Sequence, residues 1–475
     1  MEGRKFDKEL HIRYWQRCLK SLLPTHYTST DSSRMTLGFF ILSALDLLGE
    51  GAESLPHVER TRIRDWILKC QHPNGGFCGS PNHRFPDKYY VHSGRESTYD
   101  IDPANLPATY FAVLSLGLVG DLRGIERKKC LRWLRNLQRE DGSFGELVTS
   151  EGIIWGGRDM RYCYVATALR WILMGDKDKP EDIDIEKLVS HLRSAQTFDG
   201  GISESSQHEA HAGYTYCAIA SLSFLNRLPS LTENPANRMS GILNVSDTLR
   251  WLVSRQVACQ IFHKEEEEDD KDEETVCESS RLSQDQVNLD YEINQKVDDF
   301  IGFNGRCNKR VDTCYTFWVT ASLKLLCKAE PELVDSLSAR KFLTEQTQHR
   351  IGGFGKCPGD PPGTKSAFLP NFDNRLFANC YLDIYHSYLG LAALALNNEP
   401  DVKQLDPALC VSVEQKYKIE SLRDHLLVPT RLYWEHGYCF LIRKDDPEFE
   451  EITPQASESG KKIHCSPDIQ ELPLS

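Results

Sequence analysis

No uninterrupted apolar run in this 475-residue chain reaches the roughly 18–20 residues that span a bilayer. The longest candidates, Leu37 to Gly49 and Leu106 to Gly120, stop short, so an integral membrane protein is not expected. The opening stretch MEGRKFDKELHIRYW is charged and lacks the apolar core of a secretory signal. Positive charge is in deficit, with 56 Lys and Arg against 69 Asp and Glu. A net charge of −13 argues against nucleic acid as the main partner. Cysteine is plentiful at 16, yet no CxxC pair occurs, which leaves out the usual structural zinc frameworks. Scattered through apolar stretches, as at Cys70, Cys130, Cys163 and Cys217, they read as reduced packing residues of a cytoplasmic protein. The D-x-D-D acid motif of squalene-type cyclases is missing as well.

What the chain does have is a repeat. Gln71-HPNGG-Phe77, Gln138-REDGS-Phe144, Gln196-TFDGG-Ile202 and Gln348-HRIGG-Phe354 each place an apolar residue six positions after a Gln, across a turn rich in Gly, Asp or Asn. A fifth copy opens at Gln256, but its Gly-Phe (Gly302-Phe303) arrives 47 residues later, so an insertion of 41 residues splits this turn. An amphipathic, charged helix precedes each Gln, with Trp66, Trp133 and Trp251 five residues ahead of theirs. A second helix follows each turn, as in LPATYFAVLSLGLVG, YCYVATALRWILMG, GYTYCAIASLSFL, CYTFWVTASLKLL and YHSYLGLAALAL; SRMTLGFFILSALDLLG, ahead of the first Gln, is of the same type. A helix apolar on all sides is buried. A period of about 50–65 residues marks a repeat architecture of one supersecondary unit per copy. Two classes of helix alternating about six times predict an all-α fold, an α/α toroid with inner helices around a cavity and outer helices around them. A linear solenoid is the alternative.

The toroid is expected over residues 8–400, a packed extension over 401–440 and a polar, flexible tail over 441–475. The insertion, about 260–298, contains nine acidic residues in the eleven from Lys264 to Glu274 and is expected to be disordered. A Pro-rich loop is expected at about 357–378.

Chemistry is concentrated in Gly305-Arg306-Cys307-Asn308-Lys309-Arg310-Val311-Asp312-Thr313-Cys314-Tyr315. Three cations precede an Asp-x-Cys that opens an inner helix, with Asp312 or Thr313 as the N-cap. Residues at i and i+2 do not share a helix face. Asp312 must therefore lie just outside the helix and Cys314 in its first turn if both reach one point. Such a pair could hold two corners of a metal site, with His386, at the start of another inner helix, as the third. The alternative is a capping Asp, a buried Cys and a core His.

The repeat, the GRCNKRVDTCYTFW segment, the YHSYLG helix start and the opening RYWQRCLK…SSRMTLGFFILSALD resemble the β-subunits of protein prenyltransferases, over about residues 8 to 400. Among these the resemblance is nearest to the type I geranylgeranyltransferase β-subunits. It implies an obligate heterodimer with a helical-repeat prenyltransferase α-subunit. It implies geranylgeranyl diphosphate and CaaX-ending proteins, such as Rho-type small GTPases, as substrates. It implies one catalytic Zn²⁺ per β-subunit held by Asp312, Cys314 and His386, and a diphosphate cradle of His211, Arg306, Lys309 and the Tyr315 hydroxyl. Lys356 stands where farnesyltransferases carry a magnesium-binding Asp, so magnesium is expected not to be required. Thr36 stands where a bulky Trp shortens the farnesyltransferase tunnel; Trp318 forms another wall, and Arg161 lies near the peptide. Asn105-Leu106-Pro107 departs from the family's His-x-Ala near the CaaX pocket. The alternatives are a farnesyltransferase β-subunit, a terpene cyclase and a non-enzymatic helical-repeat scaffold.

Overall fold

The computed structural model describes residues 5–21, 23, 31–82, 104–149, 152–228, 241–259, 300–327, 333–358, 384–427, 430–435 and 438–443. The acidic insertion, nearly all of the Pro-rich loop and nearly all of the tail lie outside these residues. Six apolar helices, α2 (Arg34–Leu47), α4 (Leu106–Leu118), α6 (Met160–Ile172), α8 (Ala212–Phe224), α10 (Thr313–Leu326) and α12 (Ile384–Leu396), alternate with α1 (Lys8–Lys20), α3 (His57–Lys69), α5 (Arg127–Asn136), α7 (Ile185–Ser194), α9 (Val245–Val253) and α11 (Ser336–Lys341). The last of these runs on through a π-helical turn, Phe342–Thr347. The apolar set packs in the order α2, α4, α6, α8, α10, α12 and back onto α2. A closed ring results, and the solenoid alternative falls. In α4 eleven residues are buried, whereas α5 buries one face of Cys130, Leu131, Trp133 and Leu134. The wholly apolar helices are therefore the inner ring.

Each Gln-turn is a β-bridge: Gln71 pairs with Phe77, Gln138 with Phe144, Gln196 with Ile202 and Gln348 with Phe354. In the split copy, strand β1 (Gln256–Ala258) pairs with β2 (Ile301–Phe303), and Gln256 still faces Phe303. The side chains of these glutamines join neighbouring units. Gln138 donates to the Asp184 carbonyl at 2.8 Å and accepts the Asp184 amide at 2.7 Å. Gln71 serves Gly124 and Glu126, Gln196 serves Asn244, and Gln256 serves Asp335. Asp184, Asn244 and Asp335 are N-caps of the next outer helices, so the Gln fixes where each helix starts. Gln348 closes the circle by taking the amide of Asp7, the N-cap of α1, at 3.4 Å. The turn glycines let the next helix approach. A Cβ on Gly76, whose φ is +77°, would stand 2.8 Å from Ala104 and 3.0 Å from the Trp133 ring, inside van der Waals contact.

Beyond the ring, helix α13 (Val413–Arg423) packs on α4 and α6. Arg423 lies over the Trp171 ring at 4.3 Å. The segment ahead of it is gripped by tyrosines from four inner helices: Tyr216 donates to the Pro407 carbonyl, Tyr164 to Ala408, Tyr110 to Leu409 and Tyr388 to Cys410. A strip reached from opposite sides of the ring lies inside it. Among the described residues, no helix is long and apolar enough to cross a membrane.

Candidate metal and anion site at the inner-helix starts

The β-bridge of Asn304 with Val311 brings the chain back to the start of α10. There Asp312, in extended conformation at φ −150°, caps the helix by accepting the Cys314 amide at 2.8 Å. Of the two caps open from sequence, Asp312 takes the role, and Thr313 begins the helix. The Thr313 amide and hydroxyl are held by the carbonyls of Lys356 and Gly355, at 2.9 and 2.7 Å. His386, in the first described turn of α12, sets its Nε2 3.3 Å from Asp312 Oδ1. The Asp312 and His386 side chains are only 7% and 12% exposed. One ligand atom each from Asp312, Cys314 and His386 lie within 4.8 Å of one another, a spread that one cation bridges.

Electrostatics at this point are divided. Burial pushes the Asp312 carboxyl up, but the hydrogen bond and charge of His386 and the Cys314 amide outweigh it, so the net shift is down and the group stays ionised. The Cys314 thiol is pushed far up by burial and by the Asp312 charge, against weaker hydrogen bonds from Trp318 and Tyr385. Without a cation, Cys314 is a thiol beside a carboxylate. A divalent ion would reverse that preference by supplying the missing positive charge.

Beside this cluster, His211 caps α8. Its Nδ1 accepts the Gly213 amide at 3.0 Å, which places the ring proton on Nε2, 3.1 Å from the Tyr315 hydroxyl. Burial, then the Arg306 charge, lowers the His211 pKa to about 4, so the ring is a neutral donor at physiological pH. Gly305 lets Tyr315 come this close, since a Cβ there would fall 2.2 Å from the Tyr315 ring. Arg306 pairs with Glu209 at 3.2 Å. Lys309 is exposed on the turn that follows, where Asn308 takes a left-handed φ of 58°. Lys356 is exposed as well, one hydrogen bond from the start of α10. Arg161 is bound in a fork to Asp159, with both contacts at 2.9 Å, and its guanidinium lies 5.8 Å from the Tyr214 ring centre. Its pKa is raised mainly by that fork.

A model of the prenyltransferase alpha-alpha toroid domain matches residues 6–411. The chain belongs to the prenyltransferase toroid family. The type-1 geranylgeranyl transferase β-subunit of Arabidopsis thaliana is 30% identical over 418 residues, covering 85% of this chain and 88% of the relative. That of Dictyostelium discoideum is 28% identical, covering 86% and 96%. A solved Candida albicans protein geranylgeranyltransferase-I, complexed with GGPP, superposes with a TM-score of 0.63 at 25% identity, over 88% of this chain and 99% of that one. Within the prenyltransferases the chain therefore stands with the type I β-subunits.

An aromatic wall leads away from this cluster. From His386 it runs to Tyr385 at 5.0 Å, to Phe40 at 6.2 Å and on to Phe111 at 5.5 Å. Thr36 stands on the same helix, one turn before Phe40, half-buried. Trp318 packs on Tyr216 at 4.9 Å. Sequence reasoning missed Glu209, the carboxylate that shares Arg306, and the tyrosines around Pro407–Cys410. Glu209 stood two residues from His211 and was readable as a neighbour; the tyrosine ring had no local signal.

Proposed function

We propose that this chain is the catalytic β-subunit of a zinc-dependent protein geranylgeranyltransferase type I, acting with a prenyltransferase α-subunit on the cysteine of C-terminal CaaX sequences. The observation that supports it most is the convergence of Asp312, Cys314 and His386 on one point. A carboxylate, a thiol and an imidazole suit zinc, and three protein ligands leave the open position of a catalytic site. When bound, zinc supplies the charge that keeps a substrate thiol as thiolate at neutral pH.

The remaining work falls to side chains of this chain. The substrate sulfur displaces diphosphate from C1 of the isoprenoid, and the leaving oxygen takes the electron pair. His211 Nε2–H and the Tyr315 hydroxyl would donate to the departing phosphate oxygens. Arg306, Lys309 and Lys356 would balance the charge that accumulates there. Arg306 must exchange Glu209 for phosphate. The cost is small, since both partners are about half exposed, at 42% and 58%, and such pairs are worth about 0–1 kcal/mol. Lys356 makes a magnesium ion unnecessary in this scheme. Thr36 leaves the aromatic channel long enough for a C20 chain. The twelve cysteines whose side chains are described are free thiols, which supports a reducing, cytoplasmic setting.

The deciding experiment co-purifies the chain with an α-subunit and offers equal geranylgeranyl and farnesyl diphosphates with CaaX peptides ending in Leu, Phe, Met or Ser. One zinc per heterodimer and preferential C20 transfer without added magnesium are expected. A zinc-free heterodimer or a preference for farnesyl diphosphate overturns the proposal.

A further inference from the structure

Of the twelve cysteines whose side chains are described, Cys307 alone is exposed. It sits between Arg306 and Lys309, inside the turn to which the previous section assigns the diphosphate. The residue behind it is unusual. Arg255, the last residue before the repeat glutamine Gln256, is 5% exposed. Its guanidinium lies over Trp251 at 4.7 Å. Its Nε donates to the Trp251 carbonyl at 3.3 Å, and its Nη2 donates to Ser254 Oγ at 3.1 Å and to Cys307 Sγ at 3.3 Å. Its Nη1 is buried and has no partner among the described residues.

No carboxylate pairs with Arg255 among the described residues, in contrast to Arg127, Arg170 and Arg340. A guanidinium does not lose its proton. A buried cation without an anion is costly, and the group this one meets on the turn is the Cys307 sulfur. The Asn304 amide also donates to the Arg255 carbonyl at 2.9 Å. Arg255 thus ties the turn to α9 at both its backbone and its side chain. Cys307 is exposed to solvent on the turn that also carries Arg306 and Lys309, cations that attract carboxylates.

We propose that Cys307 is a thiol–disulfide exchange site that takes an anionic low-molecular-weight disulfide of the glutathione class. The adduct then blocks isoprenoid diphosphate, and this second half rests on the proposed function. The Cys307 proton passes to solvent, and the sulfur attacks one sulfur of the small disulfide. A new S–S bond forms as the old one breaks, and the departing half leaves as a thiolate that is then protonated. Cys307 is oxidised to a mixed disulfide and the departing half is reduced. Reduced small thiol reverses the exchange. The carboxylates of the adduct lie over Arg306 and Lys309, where the diphosphate would bind.

The test uses the purified heterodimer with oxidised glutathione, read by intact mass and peptide mapping, alongside Cys307→Ser. One adduct per β-subunit at Cys307, none in the variant, is expected. Binding of labelled geranylgeranyl diphosphate should weaken at least about tenfold in treated wild type and recover with dithiothreitol. Iodoacetamide should alkylate Cys307 about tenfold faster in the native heterodimer than in the urea-unfolded chain, since Arg255 Nη2–H is held against the attacking sulfur. Arg255→Met should remove that advantage; the native-to-unfolded ratio in wild type decides the point where that variant does not fold. Labelling confined to other cysteines, or no native rate advantage, overturns the exchange site. An adduct at Cys307 that leaves diphosphate affinity unchanged overturns the blocking. If the untreated heterodimer binds no isoprenoid diphosphate, it is the functional reading that fails, while peptide mapping still decides the exchange site.

Discussion

Two aspartates occupy the same position on inner helices two places apart in the ring and do different things. Asp159 caps α6 and Asp312 caps α10; they are 3% and 5% exposed. Each accepts the backbone amide two residues on, at 2.9 and 2.8 Å. At Asp159 the residue two positions on is Arg161, whose fork occupies both carboxylate oxygens. At Asp312 it is Cys314, and the next inner helix adds His386. The first corner is a finished ion pair, and the second is a set of donors turned toward a shared point. The repeat supplies a buried carboxylate at a helix start, where the dipole favours negative charge. The side chain at i+2 then decides whether that charge is neutralised within the chain or left for a cation.

The sharpest way to break the comparison is to make the second corner like the first. Cys314→Arg should give a folded heterodimer with no stoichiometric metal and a transfer rate reduced on the order of 10³-fold or more. Elemental analysis and single-turnover assays check this. Diphosphate affinity should stay within about threefold, because His211, Arg306 and Lys309 are not among the three converging ligands; a parallel collapse of both would show that the two functions are not separable. Next in size is Asp312→Asn, which keeps the cap and removes the charge. Metal affinity should fall by more than the 10–100-fold typical of losing an outer-shell partner. In the wild type, the Cys314 proton must leave for metal to bind, and burial holds that proton on. Apoprotein affinity should therefore drop about tenfold for each pH unit lowered between 8 and 7, and competition with a chelator measures it. A pH-independent affinity would remove Cys314 from the ligand set.

Most of this architecture was legible in one sequence because the repeat is local. The Gln-to-Phe spacing is a single turn closed by one bridge, and apolar faces separate inner from outer helices without knowledge of contacts. Even the split copy was readable, since Gln256 and Phe303 kept their identities across the insertion. The ligand trio was legible only in part. Asp312 and Cys314 are constrained by helix geometry, but His386 lies 72 residues on, and its arrival depends on ring closure. The purpose of the glutamines was hidden, because their partners stand at the caps of the next unit, 46 residues away for Gln138, 79 for Gln256 and 341 for Gln348. Hidden too were the carbonyls of Pro407–Cys410, reached by tyrosines from four helices. Arg161 was read as a peptide contact from resemblance alone; its fork to Asp159 makes it first a neutraliser of a buried charge.

Converting the first corner toward the second sharpens the comparison by an expected failure. Arg161→Cys places an Asp-x-Cys at α6, with His211 at the head of the next inner helix. No second stoichiometric metal should bind. His211 Nδ1 is already committed to the Gly213 amide and Nε2 points to Tyr315, so the imidazole has no lone pair aimed at Asp159. Two metals per heterodimer in this variant would mean that i+2 identity suffices and that the position of His386 contributes little.

The smallest effect is expected at Asp159→Asn. The amide still caps α6, since Asn and Asp are equally good there. The charge it removes faces an Arg161 side chain that is 65% exposed, so the freed guanidinium returns to water instead of remaining buried and unpaired. Unfolding free energy should change by less than about 1 kcal/mol, with metal content unaltered. Asp312→Asn in the metal-free protein should cost more, because His386 is nearly buried and exchanges a charged acceptor for a neutral one without regaining solvent. Denaturant midpoints of the two apoproteins, measured side by side, read the difference directly. Equal destabilisation would mean that the second corner, like the first, is built for stability, and the case for a cation between Asp312, Cys314 and His386 would rest on distance alone.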